Sequence, residues 1–489
     1  MTGVQTCALP IWTAEFVITF KSLAFNEGAS SETWGINFSR NIRRKNELDV
    51  WSPIPRRFSI TRLSLAGELT GLKGVEKGRN LRLKPFLVAE TNKLARNAER
   101  VWKAKPGLDV KYSLTPSMIL DLTGNTDFSQ VEVDEQQVNL TRFSQFFPEK
   151  REFFLENDGL FQFGDIPGDR GPERARETQL YFSRRIGLSE EDGQPIPIWG
   201  GMRLSGQTGD YGIGLMNMQT KAYNGKPGNN YAVARLRRNV LANSDVGVIF
   251  TNRQAAEGKD YNRAWGADAN FKFWQNLDLN GYVAQSHTDG KKGENWTRKF
   301  SQDWRDNNIR INLIYADVED NFTPEVGFVQ RTGVKYFRSR NEAYIRKYMP
   351  KWVRQLRPHI YYMHIMDQQN RPVSKEGHYA LFEFQLQNGA GFEIFRDTFF
   401  ERLDIPFRIR QGIPKQPNIT IPVGAYHFDH WVFEANSDPS RLLSGSMSLH
   451  TGGFYTGTTN QLVVDGNIRP SYHLLISNRY SYNGVDLKE

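Results

Sequence analysis

The sequence predicts an all-β fold: a large antiparallel transmembrane β-barrel with an inward-folded, plug-like segment, preceded by the remnant of a β-sandwich. Three observations predict it. Strands of about ten residues alternate apolar and polar side chains along most of the chain. Their connections alternate between tight turns and long polar loops. One aromatic and charged stretch interrupts the series. The strand spacing predicts about 14–18 strands.

Strand length is the observation that favours a membrane barrel over a soluble sandwich. Soluble strands are mostly about five or six residues long, whereas a tilted strand that crosses a membrane needs about nine to eleven. The alternation is clearest at 265–273. Because neighbouring side chains of a strand point to opposite faces, we expect Trp265 and Ala269 to face lipid. Asp268 and Asn270 are then expected to face the interior.

Composition limits the classes of protein that need to be considered. The chain has 489 residues, and its 63 Lys and Arg exceed its 54 Asp and Glu by nine. That excess is spread along the chain, which disfavours a nucleic-acid-binding patch. No run of 18 apolar residues is present, which excludes a helical membrane bundle. Composition does not exclude a membrane barrel, because barrel strands alternate apolar and polar side chains and their mean hydropathy is therefore polar.

The first eleven residues, MTGVQTCALPI, do not resemble part of a fold. They resemble the translation of a sequencing adapter, and we expect residues 1–11 to be an assembly artefact of a metagenomic fragment. We therefore expect the native chain to begin further upstream, with its signal peptide missing from this fragment. Cys7, the only cysteine, would then not belong to the protein. The remainder could form neither a disulfide nor a thiolate metal site.

Residues 12–52 are interpreted as the C-terminal remnant of a sandwich domain. They predict one strand in AEFVITF, from Ala14, and another in WGINFSRNIRR, from Trp34. Two strands cannot form a stable sandwich alone, so we read them as the edge of a truncated domain. Residues 53–489 are assigned to the barrel. Its predicted strands lie at 58–66, 80–90, 107–114, 117–123, 178–186, 198–208, 211–219, 230–240, 244–253, 262–273, 277–287, 307–318, 331–340, 355–366, 376–388, 390–397, 419–434, 442–455 and 470–482.

The central motif at 125–164 does not fit a strand or a free loop. Its first half is acidic, and its second half places five phenylalanines around the charged run Pro148–Glu152. Four successive charges could not face hydrocarbon, and a free loop would expose a large apolar patch. We therefore expect the motif to fold into the barrel as a plug.

The charged residues of this motif are the predicted binding or plug residues. In one interpretation they line the lumen and contact a solute. In the other they pair with one another and seal the barrel, which is favoured because buried charges must be paired. These residues are Arg142, Glu149, Lys150, Arg151 and Glu152.

The motif also carries a family resemblance. The run NTDFSQVEVDEQQVNLTRFSQFFPEKREFFLE, the preceding YSLTPSMILDLTGN and the later YFSRRIGL resemble hallmark segments of the DUF5916 family of outer-membrane β-barrel proteins. Members of this family carry an N-terminal domain resembling family 9 carbohydrate-binding modules, and WGINFSRNIRRKNE resembles the end of that domain. The resemblance extends from Trp12 over nearly the whole chain. It implies a location in the outer membrane of a Gram-negative cell, with a saccharide as the ligand.

Three functions remain open at this point. The first is the binding or passage of a solute, saccharide-related by the resemblance, at the cell surface. The second is a carbohydrate-active hydrolase that uses carboxylates of the central motif, where Glu132, Asp134 and Glu135 lie close together. The third is a structural envelope protein that transports nothing. The expected partners are outer-membrane lipid and a saccharide, without nucleic acid; the sequence predicts no oligomeric state.

The sequence predicts no catalytic residue, metal site or cofactor, so an enzyme is not expected. The one histidine pair considered, His427 and His430, lies in HFDH, where a strand would turn the two rings to opposite faces. No HExxH, phosphate-binding loop, GxSxG or paired-cysteine motif is present. The glycine-rich run at 201–214 is not followed by a predicted helix, which argues against dinucleotide binding.

Overall fold

The computed structural model describes residues 15–20, 23, 32–42, 47–55, 59–61, 65–75, 80–92, 101–126, 147–164, 178–189, 193–241, 243–258, 260–409, 419–471 and 473–487. Within these ranges the chain is nearly all β. One short helix, α1 (Glu152–Leu155), and two 3-10 turns, Asp158–Leu160 and Ser183–Arg185, stand apart from the strands. No helix in the described ranges is long and apolar enough to cross a membrane.

Twenty strands form one large sheet. They are β5 (Leu81–Asn92), β6 (Val101–Ser113), β7 (Met118–Gly124), β8 (Ile198–Thr208), β9 (Tyr211–Thr220), β10 (Asn229–Val240), β11 (Ser244–Ala255), β12 (Tyr261–Phe273), β13 (Leu277–Thr288), β14 (Trp296–Arg305), β15 (Ile309–Val318), β16 (Val334–Ala343), β17 (Val353–Leu356), β18 (His359–Asp367), β19 (Pro372–Leu386), β20 (Gly391–Leu403), β23 (Gly424–Asn436), β24 (Leu443–Phe454), β25 (Gly457–Ser471) and β26 (Leu474–Asp486).

The sheet is antiparallel between successive strands and follows chain order, with one interruption. β17 and β18 both pair with β19, so they occupy a single position in the sheet, between β16 and β19. Pro358 lies in the two-residue gap between them. Proline has no N–H to donate to a ladder, which accounts for the break.

The seam between the first and last strands differs from the rest of the sheet. The strand order places β26 next to β5 and so describes a closed barrel. Among the described residues, however, no residue-by-residue register joins these two strands, and both are exposed along most of their length. The described strands thus form a curled sheet of twenty strands.

Burial alternates along the strands and defines two faces. On β12, Ala264, Asp268 and Asn270 are buried, whereas Trp265 and Ala267 are exposed. Asp268 and Asn270 thus lie on the inner face and Trp265 on the outer face, in the alternation that the sequence predicts. Asn270 is held there by hydrogen bonds with Asp245 and Asn280.

The inner face is concave. One cavity is lined by side chains from β15, β16, β18, β19, β20, β23 and β24. Val318 of β15 and Phe454 of β24 both line it, although five positions of the sheet lie between these strands. Side chains of such distant strands can meet only if the sheet curls around a shared interior. That interior holds the site described below.

Three two-stranded sheets lie outside the large one. They are β1 (Glu32–Ile36) with β4 (Gly67–Leu72), β2 (Ser39–Ile42) with β3 (Glu47–Val50), and β21 (Phe407–Ile409) with β22 (Ile419–Ile421). The single strand predicted from Trp34 is observed as two short strands, β1 and β2. β1 pairs with β4, beyond the expected domain boundary at residue 52, whereas β2 pairs with β3 inside it. The predicted strand in AEFVITF is wrong for its described residues 15–20, which are exposed and do not belong to any strand. The expected artefact at 1–11 lies outside the described residues.

Several expectations about the large sheet need correction. The predicted 14–18 strands are too few for the twenty observed. β14 has no counterpart among the predicted strands, because Arg298, Lys299 and Asp303 hide its alternation. The predicted strand at 178–186 is instead an irregular segment with a 3-10 turn. The predicted strand at 58–66 is replaced by β4, which begins at Gly67 and pairs outside the large sheet.

Candidate functional site inside the curled sheet

The chain between β7 and β8 enters the concave interior. We call residues 147–164 and 178–189 of this connection the inner insert. Phe161 and Phe163 of this insert are almost fully buried against the strands of the large sheet, whose inner face we call the wall. Gly214 of β9 and Gly266 of β12 make room for them, since a Cβ on these glycines would lie 2.9 Å from the Phe161 ring and 2.6 Å from the Phe163 ring. The wall is thus shaped to receive the insert.

Glu149 and Arg151 form a buried ion pair within the insert. The Arg151 guanidinium donates to both Glu149 carboxylate oxygens, at 2.9 and 2.7 Å, and to the carbonyl oxygens of Ser183 and Ile186. It also lies 4.1 Å from the centre of the Phe154 ring. These contacts tie the two halves of the insert together.

This ion pair also lowers the pKa of Glu149. Burial alone would raise the pKa of this carboxyl, but hydrogen bonds from Arg151 and Ser183 and the charge of Arg151 hold the pKa below its ordinary value. Glu149 is therefore an anion at neutral pH, and its hydrogen bonds to the insert are charge-assisted.

The other predicted plug residues occupy different surroundings. Glu152 pairs with Lys84 of β5 at 2.5 Å, and both side chains are largely exposed. Lys150 is half-buried, and its backbone N–H donates to Glu149. Arg142, the first half of the motif and the carboxylates proposed for a hydrolase lie outside the described residues. Only Glu149 and Arg151 of the predicted set thus come together in one buried cluster.

The second half of the insert is anchored to the segment between β15 and β16. Gln179 and Phe328 exchange backbone hydrogen bonds, and the Phe182 N–H donates to the carbonyl of Val326. The Arg185 guanidinium donates to the carbonyl of Gly327 at 3.1 Å. The run YFSRRIGL therefore serves as a strap that fixes the insert to the wall.

A second buried ion pair joins the wall to the insert. Arg235 of β10 and Asp268 of β12 form two hydrogen bonds of 2.6 and 2.8 Å, and neither side chain is more than 1% exposed. Asp268 also accepts a hydrogen bond from the backbone N–H of Gly164 at 3.0 Å. Asp268 thus binds both the Arg235 guanidinium of the sheet and the backbone N–H of Gly164, the last residue of the insert's first half.

The insert leaves part of the interior open. A cavity of about 260 Å³ remains beside it, lined by aromatic and aliphatic side chains with a few charged groups. Phe399 and Phe428 stack at 5.1 Å between ring centres on one side of it. Arg331 and Glu401 lie 3.9 Å apart at its edge. An apolar floor with a small number of polar groups is typical of a pocket for a small organic ligand.

A histidine cluster lies further along the same face. His359, His378 and Glu393 belong to three adjacent strands, β18, β19 and β20, and their nearest side-chain atoms converge within 4.8 Å. Sequence reasoning missed this set, because only His427 and His430 were considered. His427 is exposed, and the His430 ring nitrogen lies 2.7 Å from the carbonyl of Gly453. The missed signal was the presence of histidine in two consecutive predicted strands, 355–366 and 376–388, whose relative alignment only the strand register shows.

Comparison with known proteins identifies one related family. A family model described as a domain of unknown function, DUF5916, matches residues 79–411, about two thirds of the chain. No curated protein and no solved structure matches the chain.

Proposed function

We infer that this chain, which belongs to the DUF5916 family, forms an outer-membrane β-barrel that binds or passes a solute related to saccharides. The observation that carries the proposal is the division of one long-stranded sheet into an apolar outer face and a partly polar inner face that encloses a cavity. The N-terminal resemblance to carbohydrate-binding modules supplies the solute class, by analogy alone.

The outer face supports the membrane part of the proposal. Large apolar side chains project from it on strand after strand, among them Leu83, Leu215, Val248, Trp265, Phe300, Phe337, Leu381, Phe433, Met447 and Ile476, each at least 37% exposed. A soluble protein rarely exposes so extensive an apolar surface. In a bilayer the same side chains would contact lipid, and strands of ten to fifteen residues would be long enough to cross it.

The cavity supports the solute part of the proposal. A sugar ring presents apolar C–H groups on its faces and hydroxyl groups around its edge. Phe399 and Phe428 offer a stacking surface for the faces. Arg331, Arg338 and Glu376 offer hydrogen-bonding groups for the hydroxyls.

Membrane embedding is tested by a pair of neighbouring substitutions on β24. Met447 is 46% exposed on the outer face, and Met447→Arg is expected to lower the free energy of unfolding from lipid bilayers by about 2–4 kcal/mol, because it places a charge in hydrocarbon. Ser446 lies on the opposite, inner face, which it shares with Phe454 of the same strand, and its hydroxyl donates to Asp465. Ser446→Arg should therefore change stability by well under half as much. Equal losses in urea titrations of the two variants would remove the membrane assignment.

Solute binding is tested at Phe399. We expect at least one member of a panel of neutral and acidic oligosaccharides to bind the full chain in detergent by calorimetry, and Phe399→Ala to weaken that binding about tenfold through loss of buried apolar contact. The matched control is Phe392→Ala, since Phe392 lies on the outer face of the same strand. Absence of binding across the panel, with the protein folded, would favour the structural envelope protein. Release of cleaved sugars would favour the hydrolase.

A further inference from the structure

The histidine cluster occupies a place where the sheet is locally reshaped. The register of β19 against β20 shifts between Tyr379 and Phe382, which marks a β-bulge. Ala380 and Glu383 are buried on either side of the bulge, while Leu381 and Phe382 are both exposed. The bulge therefore lets Glu383 face the interior although it is three residues from Ala380. Bulges of this kind are frequent next to functional sites, because they re-aim side chains.

Three side-chain atoms converge on the inner face near this bulge: Nε2 of His359, Nε2 of His378 and Oε1 of Glu393. The Nε2 atoms of His359 and His378 are 2.9 Å apart. The Glu393 Oε1 atom lies 3.2 Å from the first and 3.9 Å from the second. A tetrahedral metal ion with bonds of about 2.05 Å separates its ligand atoms by about 3.3 Å. The three observed separations bracket that value.

The partners of the other ring nitrogens decide which atoms carry protons. His378 Nδ1 lies 2.8 Å from the Asp397 carboxylate. His359 Nδ1 lies 3.1 Å from the backbone carbonyl of Arg357. A carbonyl or an ionised carboxylate can only accept a hydrogen bond, so both Nδ1 atoms must donate. In the neutral rings each Nε2 atom then carries a lone pair and no proton. The two Nε2 atoms face each other and the Glu393 oxygen with no hydrogen between them.

The charged groups around the cluster also favour a bound cation. Glu383 is paired with the guanidinium of Arg357. Glu393 and Asp397 have no Lys or Arg within ion-pair distance in the described part of the chain; their ion-pair contacts are the two histidines. The Glu393 side chain is only 16% exposed. Two carboxylates and two imidazoles with no Lys or Arg in ion-pair contact, among the described residues, form a set that a divalent cation can complement.

We propose that His359, His378 and Glu393 bind a divalent first-row transition-metal ion of the Zn²⁺ class, with Asp397 and the Arg357 carbonyl orienting the two rings. Two imidazoles and one carboxylate form a ligand set suited to such ions, and a hydrogen-bond acceptor behind each ring is the usual support. Glu383 and Glu393 also line an open space of about 580 Å³. A fourth coordination position would face that space and could take water or a ligand oxygen. The proposal needs neither the membrane nor the saccharide.

Metal binding is tested on the full chain in detergent. After equilibrium dialysis against Zn²⁺, the wild type should hold about one tightly bound ion more than the double variant His378→Gln/Glu393→Gln. Co²⁺ should give visible absorption bands in the wild type that are absent in the double variant. The matched control is His427→Gln, which removes an exposed histidine of the same sheet and should bind as the wild type does.

Asp397 provides a finer readout. Because it contacts His378 Nδ1 rather than the ion, Asp397→Asn should weaken Zn²⁺ binding by about 10–100-fold without abolishing the Co²⁺ bands.

Folding of the variants does not limit the test. Zn²⁺ should raise the melting temperature of the wild type, and a chelator should reverse the rise, because a ligand that binds only the folded state stabilises it. If the wild type binds no more Zn²⁺ than the double variant and its melting temperature ignores both Zn²⁺ and chelator, the cluster instead shares an extra proton between its rings and the metal proposal is overturned.

Discussion

Asp268→Asn is expected to lower the free energy of unfolding by about 3–5 kcal/mol, the typical cost of removing one partner of a buried ion pair. The substitution keeps the shape of the side chain but removes its charge. Arg235 then stays buried at 0% side-chain exposure without its counter-charge. Urea titration of the wild type and the variant in the same lipid, followed by tryptophan fluorescence, measures the difference.

Two further variants show whether the charge is the cause. The double variant Arg235→Met/Asp268→Asn should regain a large part of the loss, because no buried charge is then left unpaired. Asp260→Asn is the surface control. Asp260 pairs with Arg253 but is 64% exposed, so its loss should cost less than about 1 kcal/mol. A single-variant loss as small as that of the control would contradict the assigned role of Asp268.

Arg151→Met is expected to release the inner insert, at a cost of about 3–5 kcal/mol to its docked state, because Glu149 would stay buried as an unpaired anion. The insert would then spend more time undocked. We expect faster thermolysin cleavage within 147–164 and, in planar bilayers, a higher conductance. Glu152→Gln is the control, because its pair with Lys84 is largely exposed and is worth at most about 1 kcal/mol.

The same contact predicts a pH dependence in the wild type. The pKa of Glu149 is lowered in the folded state, so its stabilisation of the insert is complete above the ordinary pKa of about 4.5. It is lost as the pH falls through the lowered, folded-state pKa. Thermolysin is inactive in acid, so conductance is the readout there: it should rise below about pH 4 in the wild type and much less in Arg151→Met. The same acid response in both proteins would contradict a role for Glu149.

The class of fold and the two faces of many strands could be predicted from the amino-acid pattern alone. The alternation on β12 predicted buried Asp268 and Asn270 and an exposed Trp265, as observed. This works because a strand turns successive side chains to opposite sides, a property that depends only on local backbone geometry. Density of phenylalanine and charge likewise marked the central motif as unusual.

The contacts between polar groups could not be predicted in this way. Arg235 and Asp268 lie 33 residues apart, and His359 and Glu393 lie on strands separated by β19. Their contacts depend on strand register and on the bulge at Tyr379–Phe382, neither of which leaves a readable periodic pattern. The buried partner of Glu149 was in the predicted set, yet the carbonyls of Ser183 and Ile186 that complete the Arg151 contacts belong to a segment predicted as a strand. Long-range hydrogen bonds are properties of the folded chain, and no local pattern records them.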